Sequence, residues 1–279
     1  MTTAGPMQKS KGGRPRSRAA AAAITGATVC ADFNDPNVVI HYTRAADQLG
    51  LWASERLLIE RWLPARDAPL LEAGCGAGRV ALGLWRLGYR RLTGVDFATE
   101  LIDQARSLAA QRGAAIDFIV ADVTRLGPVR RSAAGGFAGA LFLFNGLMQI
   151  PRRERRRRAL RELRAACRPG AILLFTTHDR EDSLQERPHW AAETERWAAG
   201  EQDPCLVEFG DRHFRDSHGG HTFMHLPTRR EVLEDLAATG WQPRFDAMRR
   251  ELAVESAAVR EFSDECRFWL AERIDPGRP

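Results

Sequence analysis

Lysine is nearly missing from this 279-residue sequence: Lys9 and Lys11 are the only two, so 39 of the 41 basic side chains are arginine. That skew, with abundant alanine and glycine, points to codon usage in a GC-rich genome and not to selection for a polyanionic partner. Cysteine is scarce too. Cys30, Cys75, Cys167, Cys205 and Cys266 are an odd number, widely spaced and without a CxxC pair. This excludes a disulfide framework and a thiolate zinc site, and it favours a reducing cytoplasm. Long apolar runs are absent as well; none approaches the roughly 18 residues that a membrane-spanning helix requires. The alanines at 19–23, behind a basic start, are too short and too weakly apolar for a secretory signal. No internal repeat is present.

What remains is the composition of an ordinary globular protein, 44% hydrophobic and 28% charged, long enough to bury a full core. The net charge of +5 is local. Residues 1–30 hold five basic side chains and no acid, which leaves 36 basic and 36 acidic residues in the rest. We read residues 1–30 as a disordered basic tail and residues 31–68 as an N-terminal helical lid. In the lid, Val38, Tyr42, Ala45, Leu49 and Trp52 recur at spacings of three and four, with a break at Gly50 and a second helix over 54–62. Residues 69–279 form the main domain. Apolar runs at 68–73, 92–95, 116–120, 137–144 and 171–177 alternate with helical stretches at 79–87, 100–111 and 152–167. That rhythm predicts βαβ units and a parallel sheet. It breaks over 178–227, a cap insert with two strands at 206–214 and 222–226. It returns with a capping box, Thr228 and Glu231, that opens a helix ended by Gly240. Further strands are expected at 241–248 and 267–271.

The first strand runs into Gly74, Gly76 and Gly78, a tight strand-to-helix turn in which a ligand can lie against backbone N–H groups. Dinucleotide-binding turns are spaced GxGxxG, whereas here Arg79 stands in place of the third glycine. Glu72 precedes the turn. It would repel a pyrophosphate and attract an ammonium group. Asp96, followed by Phe97, ends the second strand, where a carboxylate can accept both hydroxyls of a ribose. Asp122, beside Val123, ends the third and can accept an adenine amino group; Asn145 ends the fourth. All converge on the carboxyl edge of one sheet, where open α/β folds bind ligands.

In these motifs the stretch from Leu70 to about Thr177 resembles the class I, Rossmann-like methyltransferases that use S-adenosylmethionine. The resemblance implies a doubly wound α/β fold with a seven-stranded, mostly parallel sheet and an antiparallel last strand. It adds an N-terminal helical lid and an insert after strand five. The cofactor would be S-adenosylmethionine, with S-adenosylhomocysteine as product. Its contacts would fall on Glu72, Gly74, Gly76, Gly78, Asp96, Phe97, Asp122, Val123 and Asn145, with Tyr42 of the lid lining the donor pocket.

For the acceptor the expectation is a small molecule, methylated on oxygen, nitrogen or sulfur, with a natural-product intermediate among the candidates. Six of the seven histidines lie between 178 and 225, and His178, with Asp179 after it, directly follows the fifth strand. His178 is the first candidate for a general base and Asp179 the second. No metal is expected from His218, His221 and His225, which lack a nearby acid pair. The arginine-rich helix around Arg152–Arg158 carries no aromatic residue and reads as a solvated face, so nucleic acid is not the expected partner. The expected state is a cytoplasmic monomer or homodimer, without a membrane. Two alternatives stay open: an RNA or protein methyltransferase that uses the basic tail, and a non-catalytic S-adenosylmethionine-binding module.

Overall fold

A computed structural model describes residues 23–215 and 220–275. Three helices come first: α1 (Gly26–Phe33), α2 (Pro36–Gln48) and α3 (Ala53–Trp62). The alternating core follows as β1 (Leu70–Ala73), α4 (Arg79–Arg86), β2 (Leu92–Asp96), α5 (Thr99–Gln111), β3 (Asp117–Val120), β4 (Phe137–Phe142), α6 (Arg153–Ala166) and β5 (Cys167–Thr177). Next come α7 (Arg187–Ala199) and a hairpin of β6 (Asp211–Arg215) and β7 (His221–His225). The chain then returns through α8 (Arg229–Thr239), β8 (Trp241–Met248), α9 (Arg249–Leu252), α10 (Ala257–Phe262) and β9 (Arg267–Arg273).

Seven strands form one sheet in the order β3-β2-β1-β4-β5-β9-β8. Strands β1 to β5 pair in parallel, and β9 runs antiparallel to both neighbours. This is the architecture expected from the sequence. The winding reverses between β1 and β4, so a crevice opens at the carboxyl ends of these two strands. Both sheet faces are covered, which is why the strands read as continuous apolar runs. Leu71, Ala73, Ala140, Leu173 and Phe175 face α6 and α8 on one side, where Leu160, Leu163 and Leu236 meet them. The alternate residues Leu70, Leu141, Ile172 and Leu174 face α3 and α4 on the other, against Leu58, Ile59, Val80 and Leu84.

Local chemistry explains most element boundaries. Asp35 caps α2, accepting from the Asn37 N–H at 2.8 Å, with Pro36 in the first turn. Thr228 and Glu231 form the expected capping box on α8, and Gly240 ends that helix in the left-handed region. The tail reading needs correction. Residues 23–30 are not disordered: Gly26–Phe33 is a helix whose Val29 and Phe33, with Ile24 before it, are buried against Val38, Leu101, Phe118 and Phe223. Two turns are too few for a helical period to register, and the stabilising contacts come from distant segments. Residues 1–22 lie outside the described region, as does the turn 216–219. The insert also holds a helix that its polar sequence did not suggest, α7, anchored by buried Trp190.

Candidate functional site

The loop after β1 is built on three left-handed glycines with φ of 60°, 51° and 83° at Gly74, Gly76 and Gly78, a region that side chains with a Cβ adopt at a cost. Their surroundings separate their roles. A Cβ on Gly74 would sit 2.7 Å from the Phe142 ring, and one on Gly78 2.9 Å from Phe118. A Cβ on Gly76 would meet nothing within 4 Å. Gly74 and Gly76 face a cavity of about 340 Å³; Gly78 does not line it and instead caps α4 and packs inward. The open space over Gly76 is the cradle that a bound ligand can fill.

Acids surround this cradle. Glu72 is buried, and its Oε2 accepts from the Ala81 N–H at 2.8 Å. Burial pushes its carboxyl up to about 8, outweighing the opposite pull of Arg79 and the Ala81 N–H. A cation placed beside Glu72 would reverse that shift. Asp96 accepts from the Gly76 N–H and the Ala98 N–H, both at 2.9 Å, which ties the second strand end to the glycine loop. Its pKa is still raised by burial. Asp122 is the most open of the three. Its Oδ1 accepts from Thr124 N–H and hydroxyl at 2.8 and 2.7 Å, capping the turn Val123–Arg125, while Oδ2 lies 3.5 Å from Arg155 Nη2. Phe97, Val123 and Tyr42 line the same cavity.

Three further expected site residues stand apart, besides Gly78. Asn145 is buried at φ 59° and does not line the cavity, although Phe144 and Gly146 on either side of it do. Its N–H donates to Thr176 Oγ1 at 2.8 Å, and its Nδ2 lies 3.1 Å from His178 Nε2. His178 Nδ1 in turn lies 3.0 Å from the Glu265 carbonyl. The carbonyl can only accept, so Nδ1 carries the proton and Nε2 accepts from Asn145. Burial lowers the His178 pKa and keeps the ring neutral. Asp179 accepts from Arg267 Nε and Nη2 at 3.1 and 2.9 Å. Neither His178 nor Asp179 lines the cavity. The reason is topological: the sequence places them after β5, but β5 is separated from the glycine loop by β4, and antiparallel β9 engages them from the other side.

Several lining residues escaped the sequence reading. Helix α1 roofs the cavity through Gly26, Val29, Cys30 and Phe33. It is fastened to the insert by the Ile24 N–H donating to the Cys205 carbonyl at 3.0 Å, and by Asp32 Oδ2 lying 3.8 Å from His213 Nε2. Phe144 and Phe262 come from the ends of β4 and α10. No local pattern marks them, because their meeting depends on which strands neighbour each other. Arg79, expected only as a departure from the dinucleotide spacing, pairs with Glu55 of α3 through two contacts of 2.6 and 2.7 Å and stacks 4.5 Å over Trp52. It locks the third helix to the glycine loop.

The arginine-rich helix is not a free basic face. Arg153 and Arg157 both bond Asp235 of α8, Arg156 bonds Glu208, and Arg164 bonds Asp275. Acids brought from elsewhere in the chain, invisible to a local reading, neutralise much of the run. Glu208, Asp211 and His225 converge closely enough to hold a metal ion. The Arg156 guanidinium, 2.7 Å from Glu208, already supplies the positive charge there, and His225 Nδ1 lies 2.9 Å from Asp211. Among the described residues, no helix is long and apolar enough to cross a membrane.

Residues 70–170 match a family model described as a methyltransferase domain. Together with the strand order, that match gives the chain the class I methyltransferase fold. Solved structures extend the likeness in fold across most of its length. An S-adenosylmethionine-dependent methyltransferase from Methanosarcina mazei is 21% identical, with a TM-score of 0.61 over 81% of this chain and 99% of that one. The 1,6-didemethyltoxoflavin N1-methyltransferase of Burkholderia thailandensis, solved with 1,6-didemethyltoxoflavin and S-adenosylhomocysteine, is 17% identical, with a TM-score of 0.57 over 91% and 93% of the two chains. The [4+2]-cyclase SpnF, also 17% identical, reaches 0.61 over 91% and 98%. A comparison with curated proteins gives no match. A cyclase on the methyltransferase fold means that the reaction has to be argued from the site.

Proposed function

We propose that this protein binds S-adenosylmethionine and transfers its methyl group to a small-molecule acceptor. One observation carries the reading: Glu72, Gly76, Asp96 and Asp122, from three successive strand ends, open on one cavity at the switch point of the sheet. The donor set fits the cofactor. Glu72 is a buried acid lacking a full counter-charge, suited to the methionine ammonium; Gly76 leaves room for the backbone approach; Asp96 can accept ribose hydroxyls. Asp122, with Val123 beside it, is suited to the adenine amine.

When bound, the cofactor supplies an electrophilic methyl group on a sulfonium. The chain's part is to orient and to exclude water. Asp96, already tied to the Gly76 and Ala98 N–H groups, holds the ribose end at a fixed distance from the loop. Helix α1 covers the cavity beside Phe97 and Arg155 and shields the adenosine end from solvent. The small volume and this roof favour a small acceptor, and the ion pairs to Asp235, Glu208 and Asp275 withdraw four arginines of α6 from any basic face for RNA.

Calorimetric titration with S-adenosylmethionine, followed by detection of S-adenosylhomocysteine across an acceptor panel, tests the proposal. Saturable binding and product formation are expected. Absence of binding would overturn the cofactor assignment. Binding without turnover on any acceptor would favour a binding module or a cyclase-like role.

A further inference from the structure

Glu72 and Gly74 mark the end of the cavity suited to the methionine part, and Asp96 and Asp122 the adenosine end. The segment after β4 lies at the first of these. Gly74 and Gly146 both approach the Phe142 ring so closely that a Cβ on either would sit 2.7 or 2.5 Å from it. Phe144, between them, holds a left-handed backbone with φ 55°, which a bulky residue adopts at a cost that its surroundings must offset. Those surroundings are aromatic. The Phe144 ring stacks on Phe262 at 5.3 Å and 26°, and Phe262 stacks on His41 at 4.7 Å and 16°. Tyr42 and Trp52 meet Phe144 edge-on at 5.8 and 5.6 Å. Phe144, Phe262 and Tyr42 all reach the cavity. Three separate segments, α2, the β4 end and α10, thus build one aromatic wall where the methyl group would lie.

The titratable groups of the cavity have other engagements. Glu72 and Asp96 hold backbone N–H groups, Asp122 caps its turn and faces Arg155, and Arg79 pairs with Glu55. Cys30 Sγ lies 3.7 Å from the Phe97 carbonyl, and Tyr42 is also engaged. His178 points its accepting nitrogen at Asn145. His41, stacked behind Phe262, does not line the cavity and is itself engaged. Among the described residues, none of these is poised to take a proton from an acceptor at the aromatic wall.

Resting on the methyl-transfer reading above, we infer that the acceptor is a planar aromatic heterocycle, seated against Phe144, Phe262 and Tyr42 and methylated on a ring nitrogen that carries a free lone pair. The lone pair forms the new N–CH3 bond as the S–CH3 bond breaks, and the electron pair of that bond stays on sulfur. Sulfur becomes a neutral thioether, the positive charge passes to the methylated ring, and no proton has to leave. The π faces of Phe144 and Phe262 are suited to that cation, because the ring quadrupole attracts positive charge. No general base is required, which agrees with the committed state of every acid in the cavity.

Isoquinoline and 2-naphthol test this, being two-ring compounds of equal size, the first with a bare ring nitrogen and the second with a proton to lose. Isoquinoline should bind the protein loaded with S-adenosylhomocysteine, measured by calorimetry. Phe262→Leu should weaken that binding by about tenfold, with a clearly smaller change in S-adenosylmethionine affinity. Phe144→Leu is the second variant, accepted only if its melting temperature stays near that of the parent. With saturating S-adenosylmethionine, mass spectrometry should find N-methylisoquinolinium, formed at a rate that stays level over roughly pH 7 to 9. The rate on 2-naphthol should instead climb with its own ionisation. Isoquinoline that fails to bind, or binds without transfer, overturns the inference. So does faster transfer to 2-naphthol with a plateau near neutral pH, which would report an enzymic base. Loss of S-adenosylmethionine binding in the parent protein is the separate result that would bring down the underlying reading.

Discussion

The half of the cavity contributed by β1, β2 and β3 and the half contributed by the lid, the β4 end and α10 are built on different principles. In the first, each functional group sits at a strand terminus, and its role follows from backbone geometry a few residues long: left-handed glycines, then an acid at the end of the next strand. In the second, the groups are aromatic and apolar side chains from positions 26–33, 42, 144 and 262, and only the fold brings them together. The first half therefore rests on a short, local motif. The second half depends on the fold, and on the reading proposed above it is the part that would meet the acceptor.

The largest effect should come from cutting the tie between the two halves. Arg79→Ala leaves Glu55 buried without its partner, and a loss of about 3–5 kcal/mol in unfolding free energy is expected in a denaturant titration. A change below 1 kcal/mol would mean that the lid is not held through this pair. Gly74→Ala should follow, at about 2–4 kcal/mol, because it adds a Cβ that strikes Phe142 to an unfavourable φ. Gly76→Ala has the same φ cost but no clash, so it should unfold more like the parent while binding S-adenosylmethionine worse. If both variants lose stability equally, the division between packing and cradle glycines fails.

Asp96→Asn sharpens the comparison from the ligand side. It should weaken S-adenosylmethionine binding by about 1–3 kcal/mol in calorimetry, with little effect on the binding of an acceptor probe. Next comes pH. The Glu72 carboxyl lies near 8 in the folded protein against an ordinary 4.5, so it is largely protonated at neutral pH. Its raised value means that folding stability from this group is fully present below about 4.5 and is lost as pH rises through 8. Cation binding has the opposite sign. It favours the carboxylate, so S-adenosylmethionine affinity should rise by up to about tenfold per pH unit and level off above 8. Proton release on binding, seen as a calorimetric enthalpy that depends on the buffer, should vanish in Glu72→Gln. The smallest effect is expected at Arg157→Ala: buried Asp235 keeps its second partner Arg153 at 2.6 Å, so the loss should stay under about 1 kcal/mol, and RNA retention on a column should not change.

Much of the half built by β1, β2 and β3 was legible beforehand as a set of strand-end groups meeting at one cavity. Glu72, Gly74, Gly76, Asp96 and Asp122 depend on signals that survive in a linear reading, since a glycine at positive φ and an acid after an apolar run are both local. The capping box Thr228 and Glu231 was legible for the same reason. His178 illustrates the limit. Its position after β5 suggested the methyl site, yet the strand order puts β9 beside it and gives both ring nitrogens to Glu265 and Asn145. The arginines of α6 illustrate it again: their partners lie some 50 to 110 positions away in the chain.

Helix α1 and the pair Phe144 and Phe262 belong wholly to the tertiary structure. Eight residues of modest propensity form a helix at 26–33 because Phe223, Leu101 and Val38 offer an apolar surface to cover. Phe144 is held in the left-handed region because Trp52, Tyr42 and Phe262 surround its ring. What the sequence by itself determined was the backbone: period, turn and strand end, and with them the architecture and the cradle. What only the tertiary structure decided was which side chains face the cradle from above. The physical reason is that hydrogen-bonded and steric preferences act over a few residues, whereas burial of apolar surface is indifferent to separation along the chain.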